Sequence, residues 1–222
     1  MGGTLWSERQ WTSDHFAATR RSRLLAAGVP ESRLEALFQL VDAASRDEMP
    51  VYLEVRSLLA DCLARVGVSG VEPEAVRRAW SLPAVETVPL LPGASEVLAG
   101  IKELGLRCYV LSNAFVRVAV EYQEDFEAQG LAGYVDGYIS SVDTLWRKPD
   151  RRIFEAALDL AGVLPERCVM IGNSEEKDVI PARALGMRTI RVAIEEELPE
   201  TTAADVVTAS LSEVPLLLAA AL

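Results

Sequence analysis

Two spacings of apolar and polar residues divide the chain. From about residue 8 to 85, apolar side chains recur every three or four positions. EALFQLVDAA places Leu37, Phe38, Val41 and Ala44 on one helical face. VYLEVRSLLADCLARVG repeats the pattern with Tyr52, Val55, Leu59, Cys62 and Leu63. Pro30-Glu31-Ser32 and Glu72-Pro73-Glu74 read as helix starts, because a first-turn proline loses no hydrogen bond, and Gly28 and Gly67 read as stops. Four helices with short links predict a small bundle.

From about residue 88 the texture changes. Short apolar runs alternate with helical segments. LRCYVLSN (106–113), GYVDGYISS (133–141), RCVMIGN (167–173), RTIRVAI and ADVVTA read as strands. GASEVLAGIKELG, PDRRIFEAALDLAGV and DVIPARALGM read as helices between them, and VPLLLAAAL as a final helix. This alternation predicts an α/β fold, a Rossmann-like, mostly parallel sheet covered on both faces. In such sheets ligands sit beyond the carboxyl ends of the strands.

Composition narrows the function. The 222 residues are half hydrophobic and a quarter charged, with a net charge of −11. An acidic surface disfavours nucleic acid and anionic membranes as partners. Cys62, Cys108 and Cys168 are odd in number, far apart and set in apolar runs. They show no disulfide or zinc spacing and read as buried free thiols. With no signal peptide or membrane-length apolar run in view, the expected location is the cytoplasm.

Three strand ends turn polar abruptly. Ser112-Asn113 closes the first; it can hold a phosphate oxygen, although taken alone such a pair is more often a polar turn or N-cap. Lys148, ahead of Pro149-Asp150 and a helix, either enters the cleft to neutralise a phosphoryl group or stands in solvent. In IGNSEEKD, Asn173 and Asp178 offer oxygen ligands suited to Mg²⁺, although Asp178 is also placed to cap the next helix. Glu175 and Glu176 read as solvated.

In their order and spacing, strand-Ser-Asn, then Lys-Pro-Asp before a helix, then strand-Gly-Asn-Ser-x-x-x-Asp resemble the motifs of the haloacid dehalogenase (HAD) superfamily of hydrolases. LLPGASEVLAGIKELG and ARALGMRTI extend the likeness over most of the chain. The resemblance implies an α/β core formed by residues 1–8 and 86–222 and an inserted helical cap over 9–85. It also implies an aspartyl-phosphate mechanism with Mg²⁺ and a small phosphomonoester as substrate. Ser112 would bond the phosphoryl oxygens, Asn113 would shape its loop, and Lys148 would neutralise charge. Asn173 and Asp178 would hold the metal. Gly3 and Thr4, in MGGTLW, match the end of the family's Asp-x-Asp-Gly-Thr-Leu motif and would touch phosphate.

Two departures qualify that expectation. Gly2 falls where the acid/base aspartate belongs, and the nucleophilic aspartate would precede Met1, together with a central strand. The expectation is a longer protein reading hydrophobic-Asp-x-Gly-Gly-Thr-Leu. The alternative is a catalytically inactive binding or scaffold domain. Asn173 replaces the usual aspartate, which predicts weaker metal binding. A 2-haloacid dehalogenase would place asparagine at Glu175, so that reading ranks below both. In the cap, Trp11, His15 and Phe16 are expected to pack helices, and Arg20 to reach the cleft. The sequence leaves oligomeric state open.

Overall fold

The computed structural model of the chain describes residues 2, 4–7, 13–45, 52–83, 89–194 and 196–221. Four helices occupy the stretch whose periodicity predicts them: α1 (Ser13–Ala26), α2 (Glu31–Ala44), α3 (Val55–Arg65) and α4 (Pro73–Trp80). Local chemistry sets their ends. Pro30 precedes α2 and Pro73 opens α4. The Glu54 carboxylate accepts the Arg56 and Ser57 amides at the start of α3. Gly28 and Gly67, just beyond α1 and α3, take φ of 94° and 68°, which a side chain would resist. The inner faces of these helices bury Leu34, Leu37, Val41, Leu59 and Trp80 in one apolar cluster, closed at its base by Val116.

The rest of the chain alternates helix and strand. In order come α5 (Ala94–Glu103), β1 (Tyr109–Ser112), α6 (Ala119–Ala128), β2 (Gly137–Ser140) and the single turn α7 (Ser141–Thr144). Then follow α8 (Arg151–Ala161), β3 (Val169–Gly172), α9 (Ile180–Ala184), β4 (Arg188–Val192), β5 (Val206–Thr208) and α10 (Val214–Ala221). Every ladder between these strands is parallel. Val110 points into a cluster built with α5 and α10, while Tyr109 and Leu111 pack with Phe154 of α8 and Ala182 of α9 on the other face. Helices on both faces explain why the strands read as continuous apolar runs.

Three details depart from the sequence reading. Residues 132–134 form a 3₁₀ turn, so the second strand begins only at Gly137. The cause is Asp136, whose amide donates to the Cys108 carbonyl at 2.7 Å and whose carboxylate accepts the Cys108 amide at 2.8 Å. Asp178 does not cap α9. A π turn over Glu175–Val179 precedes that helix, and Ser174 caps it by accepting the Lys177 amide. Of the three free thiols only Cys62 is buried; Cys108 and Cys168 are half-buried.

Among the described residues the strands form two sheets. β1 pairs with β2, and β3, β4 and β5 form a separate ladder. Residues of β1 and β3 line one cavity of about 610 Å³. Near the amino terminus, Trp6 bridges Leu90 antiparallel, and the Leu91 amide donates to the Leu5 carbonyl at 2.8 Å. The chain therefore enters and leaves the helical stretch at adjacent points. Among the described residues, no helix is long and apolar enough to cross a membrane.

Candidate active site

The carboxyl ends of β1 and β3 meet at one buried ion pair. Lys148 is on the loop before α8, which starts where the Asp150 carboxylate accepts the Arg152 amide. The Lys148 Nζ donates to Asp178 Oδ1 at 2.6 Å and to the Leu111 carbonyl at 3.2 Å. Both side chains are almost fully buried, at 7% and 5% exposure, so the solvated-loop alternative for Lys148 does not hold. Asn113 clasps the lysine loop at two points: its Nδ2 donates to the Lys148 carbonyl at 2.9 Å, and its Oδ1 accepts the Lys148 amide at 2.8 Å.

Asp178 approaches so closely because residue 172 is glycine. A Cβ at Gly172 would lie 2.5 Å from the Asp178 carboxyl carbon. The second carboxylate oxygen accepts the Ser174 amide at 3.0 Å. Burial pushes the Asp178 carboxyl up, but the adjacent Lys148 charge and hydrogen bond outweigh this and hold it below the usual range. Asn173, one residue beyond β3, accepts the Thr4 hydroxyl at 3.3 Å. Thr4 and Asp178 line the same cavity as Lys148. Gly3 lies outside the described residues.

Ser112 is buried at the end of β1, with its hydroxyl 3.0 Å from the Tyr122 hydroxyl on α6. Sequence reasoning missed that partner, because Tyr122 looks like any apolar position of an amphipathic helix. It also missed the support behind the loop that follows β3. Arg191 on β4 donates to the Asn173 carbonyl at 3.2 Å and pairs with Glu175 at 3.0 Å. Glu175 also accepts the Thr202 hydroxyl and the Ala203 amide, so it is held in place and not solvated as its sequence position suggests. Glu176 is exposed as expected.

The donor set bears on a divalent cation. Asp178 and Asn173 offer hard oxygens, one carboxylate and one amide, and Mg²⁺ is commonly held by one or two carboxylates completed by water and phosphate oxygens. The two residues fit such a site at low charge. Among the described residues, no group of three or more His, Cys, Asp or Glu side chains is placed to hold a metal by itself.

The helical stretch meets the α/β part through a buried ionic network. Arg77 of α4, 2% exposed, pairs with Glu74 and with Glu121 of α6, each at 3.0 Å, and donates to the Val116 carbonyl. Ser81 donates to Glu121 at 2.9 Å, and Arg117 pairs with Asp125. In α1, Phe16 is buried. Arg20 lies over the Phe16 and Trp80 rings and donates to the Trp80 carbonyl at 3.2 Å, so its guanidinium is anchored on the bundle. Trp11 and the His15 side chain lie outside the described residues.

A parallel sheet between helices, with a buried lysine–carboxylate pair at its carboxyl ends, defines an α/β enzyme-type fold with its site in the usual place. A family model for haloacid dehalogenase-like hydrolases matches residues 1–186, and the chain belongs to that family. It is 34% identical over 101 residues to glyceraldehyde 3-phosphate phosphatase of Methanothermobacter thermautotrophicus, covering 46% of this chain and 43% of that protein. It is 35% identical over 116 residues to phosphoserine phosphatase of Thermus thermophilus, covering 51% and 45%. The matched segments thus span less than half of each relative. Among solved structures, a HAD phosphatase from Thermococcus onnurineus superposes with a TM-score of 0.65 at 16% identity, over 98% of this chain and 94% of that one. A 2-haloacid dehalogenase from Pseudomonas syringae gives 0.65 at 21%, over 100% and 96%. Those two likenesses speak to the fold.

Proposed function

We propose that the site is that of a Mg²⁺-assisted phosphatase of small phosphomonoesters, with the four-helix stretch as its cap. The observation that carries this reading is the Lys148–Asp178 pair at the joined carboxyl ends of β1 and β3. It supplies a desolvated cation where a phosphoryl group would sit, and a carboxylate for a metal. The phosphatases among the sequence relatives point the same way.

In this reading Lys148 neutralises charge on the transferring phosphoryl group. Asn113 holds the lysine loop in register with β1. The Ser112 hydroxyl turns from Tyr122 to a phosphoryl oxygen, and Thr4 contacts the same group. When bound, Mg²⁺ at Asp178 and Asn173 would offset the remaining phosphate charge. The helical cap, anchored through Arg77 and Glu121, covers the site and excludes water. The attacking carboxylate would be the aspartate of the family motif whose last positions match Gly3, Thr4 and Leu5.

The assay is hydrolysis of p-nitrophenyl phosphate with and without Mg²⁺. It uses the 222-residue chain and a chain lengthened by an apolar strand ending in aspartate. Turnover by the lengthened, Mg²⁺-supplied chain supports the reading, provided that Lys148→Ala and Ser112→Ala each reduce it. Full activity in either variant sinks the site assignment. A second reading, a non-catalytic binding domain, is favoured by Gly2, which offers no acid or base. Absence of turnover in both chains selects it.

A further inference from the structure

The peptide group that joins Asn173 to Ser174 is clamped from both sides. Its carbonyl accepts Arg191 Nε at 3.2 Å, and its N–H donates to Asp178 Oδ2 at 3.0 Å. The planar group therefore links a cation to a carboxylate: guanidinium, carbonyl, amide, Asp178. Hydrogen bonds in series polarise one another, so each end strengthens the other. With Oδ2 held by the Ser174 amide, Oδ1 is the oxygen that meets Lys148. The fixed plane also sets where the backbone leaves Asn173, and so where its side-chain amide starts relative to that carboxylate.

Arg191 is a costly residue to place here. β4 is paired on both edges, to β3 and to β5, and Arg191 is the ladder partner of Gly172. Its side chain is 12% exposed. A guanidinium withdrawn from water is unfavourable unless charge and hydrogen bonds replace the solvent. Glu175 supplies the charge at 3.0 Å, with Glu196 at 3.6 Å. Glu175 is held in turn by the Thr202 hydroxyl and the Ala203 amide, both at 2.5 Å, just ahead of β5. That segment is itself tied down: Asp205 accepts the Thr189 amide at 2.8 Å and pairs with Arg183 of α9 at 2.9 Å. The guanidinium thus stands on a fixed base. Its planar fork of donors can hold a carboxylate and a carbonyl in one orientation, which the single point charge of a lysine does not.

We propose that Arg191 is a positioning residue for the metal site. It holds the 173–174 peptide so that Asn173 and Asp178 present their oxygens to one cation, and Glu175 with the 202–203 segment holds Arg191. Neither Arg191 nor Glu175 touches the metal in this scheme. The inference rests on the Mg²⁺-assisted reading above.

The test follows the Ser174 amide by two-dimensional NMR in the 222-residue chain, first without metal and then through a Mg²⁺ titration. Arg191→Met keeps the apolar stem and removes the donors. Arg191→Lys keeps the charge and loses the fork, and Glu175→Gln loosens the base. Leu59→Ala, in the helical bundle, controls for lost stability alone. In Arg191→Met the metal-free Ser174 amide should exchange about fivefold faster, as loss of a supporting hydrogen bond allows. The Mg²⁺ dissociation constant should rise about 10- to 100-fold, the usual effect of removing a group behind a metal ligand. Arg191→Lys and Glu175→Gln should fall between Arg191→Met and the parent chain. An unchanged dissociation constant in Arg191→Met overturns the inference and leaves the Mg²⁺ reading intact; if that variant does not fold, an unchanged value in both Arg191→Lys and Glu175→Gln does the same. So does an equal rise in Leu59→Ala. A Ser174 resonance that Mg²⁺ does not move in the parent chain, or moves equally in Asp178→Asn, removes the metal from this loop. The Mg²⁺-assisted reading then fails, and the inference with it.

Discussion

At the end of β3, Gly172 leaves space that the Asp178 carboxylate fills. Adding a single methyl there puts a Cβ 2.5 Å from that carboxyl group, which is part of a rigid buried pair. Gly172→Ala should therefore destabilise the protein by about 1–3 kcal/mol, as overpacking does, measured by urea unfolding. Lys148→Met leaves a buried carboxylate without its cation. The expected loss is about 3–5 kcal/mol at neutral pH, and adding Asp178→Asn should restore part of it. A double variant no more stable than Lys148→Met would show that the pair is not the source. In the loop after β3, where we propose the metal site, Asn173→Asp supplies a second carboxylate. The Mg²⁺ concentration needed for half-maximal thermal shift should fall, and an unchanged value would argue against Asn173 as a ligand. Lys148, Asn173 and Asp178 stand out in the sequence as polar breaks after apolar runs. What the sequence leaves open is whether each break faces the cleft or caps a helix. The answer depends on how close the ends of β1 and β3 come, which no local pattern records.

Between elements, a charged network joins α4 to α6, and it titrates. Burial pushes the Glu74 carboxyl up, but hydrogen bonds and charge from Arg77, Arg56 and Arg78 outweigh it, taking it from an ordinary 4.5 to about 2. Glu121 is lowered too: burial raises it, and Arg77 and the Val118 amide more than offset that. Because these groups titrate lower folded than unfolded, their stabilisation is complete above the unfolded value. It is lost as pH falls from about 4.5 toward 2. Urea midpoints should drop across that window, and Glu74→Gln should flatten the drop; an identical slope in the variant would remove Glu74 as its cause. The helices themselves were legible from 3.6-residue spacing, proline starts and glycine stops. This network was not, because Arg77 and Glu121 are far apart in sequence and each looks like an ordinary solvated helix charge.

At the scale of the molecule, the two larger of three apolar clusters among the described residues are built from different parts of the chain: one from α1–α4 with Val116, the other around α5, β1, β4 and α10. Leu59, fully buried in the first, should cost about 2–5 kcal/mol when changed to Ala. If the helical stretch opens separately, exchange should quicken in α2–α4 while β3 and β4 keep their protection. Equal loss in both would show one cooperative unit. The alternation of apolar runs with helical faces determined the fold class, the parallel sense of the strands and the residues at their carboxyl ends, because each rests on local periodicity and turn chemistry. Only the tertiary structure decided that Lys148 and Asp178 form a buried pair and that Glu175 braces Arg191. Those features depend on which distant segments lie side by side.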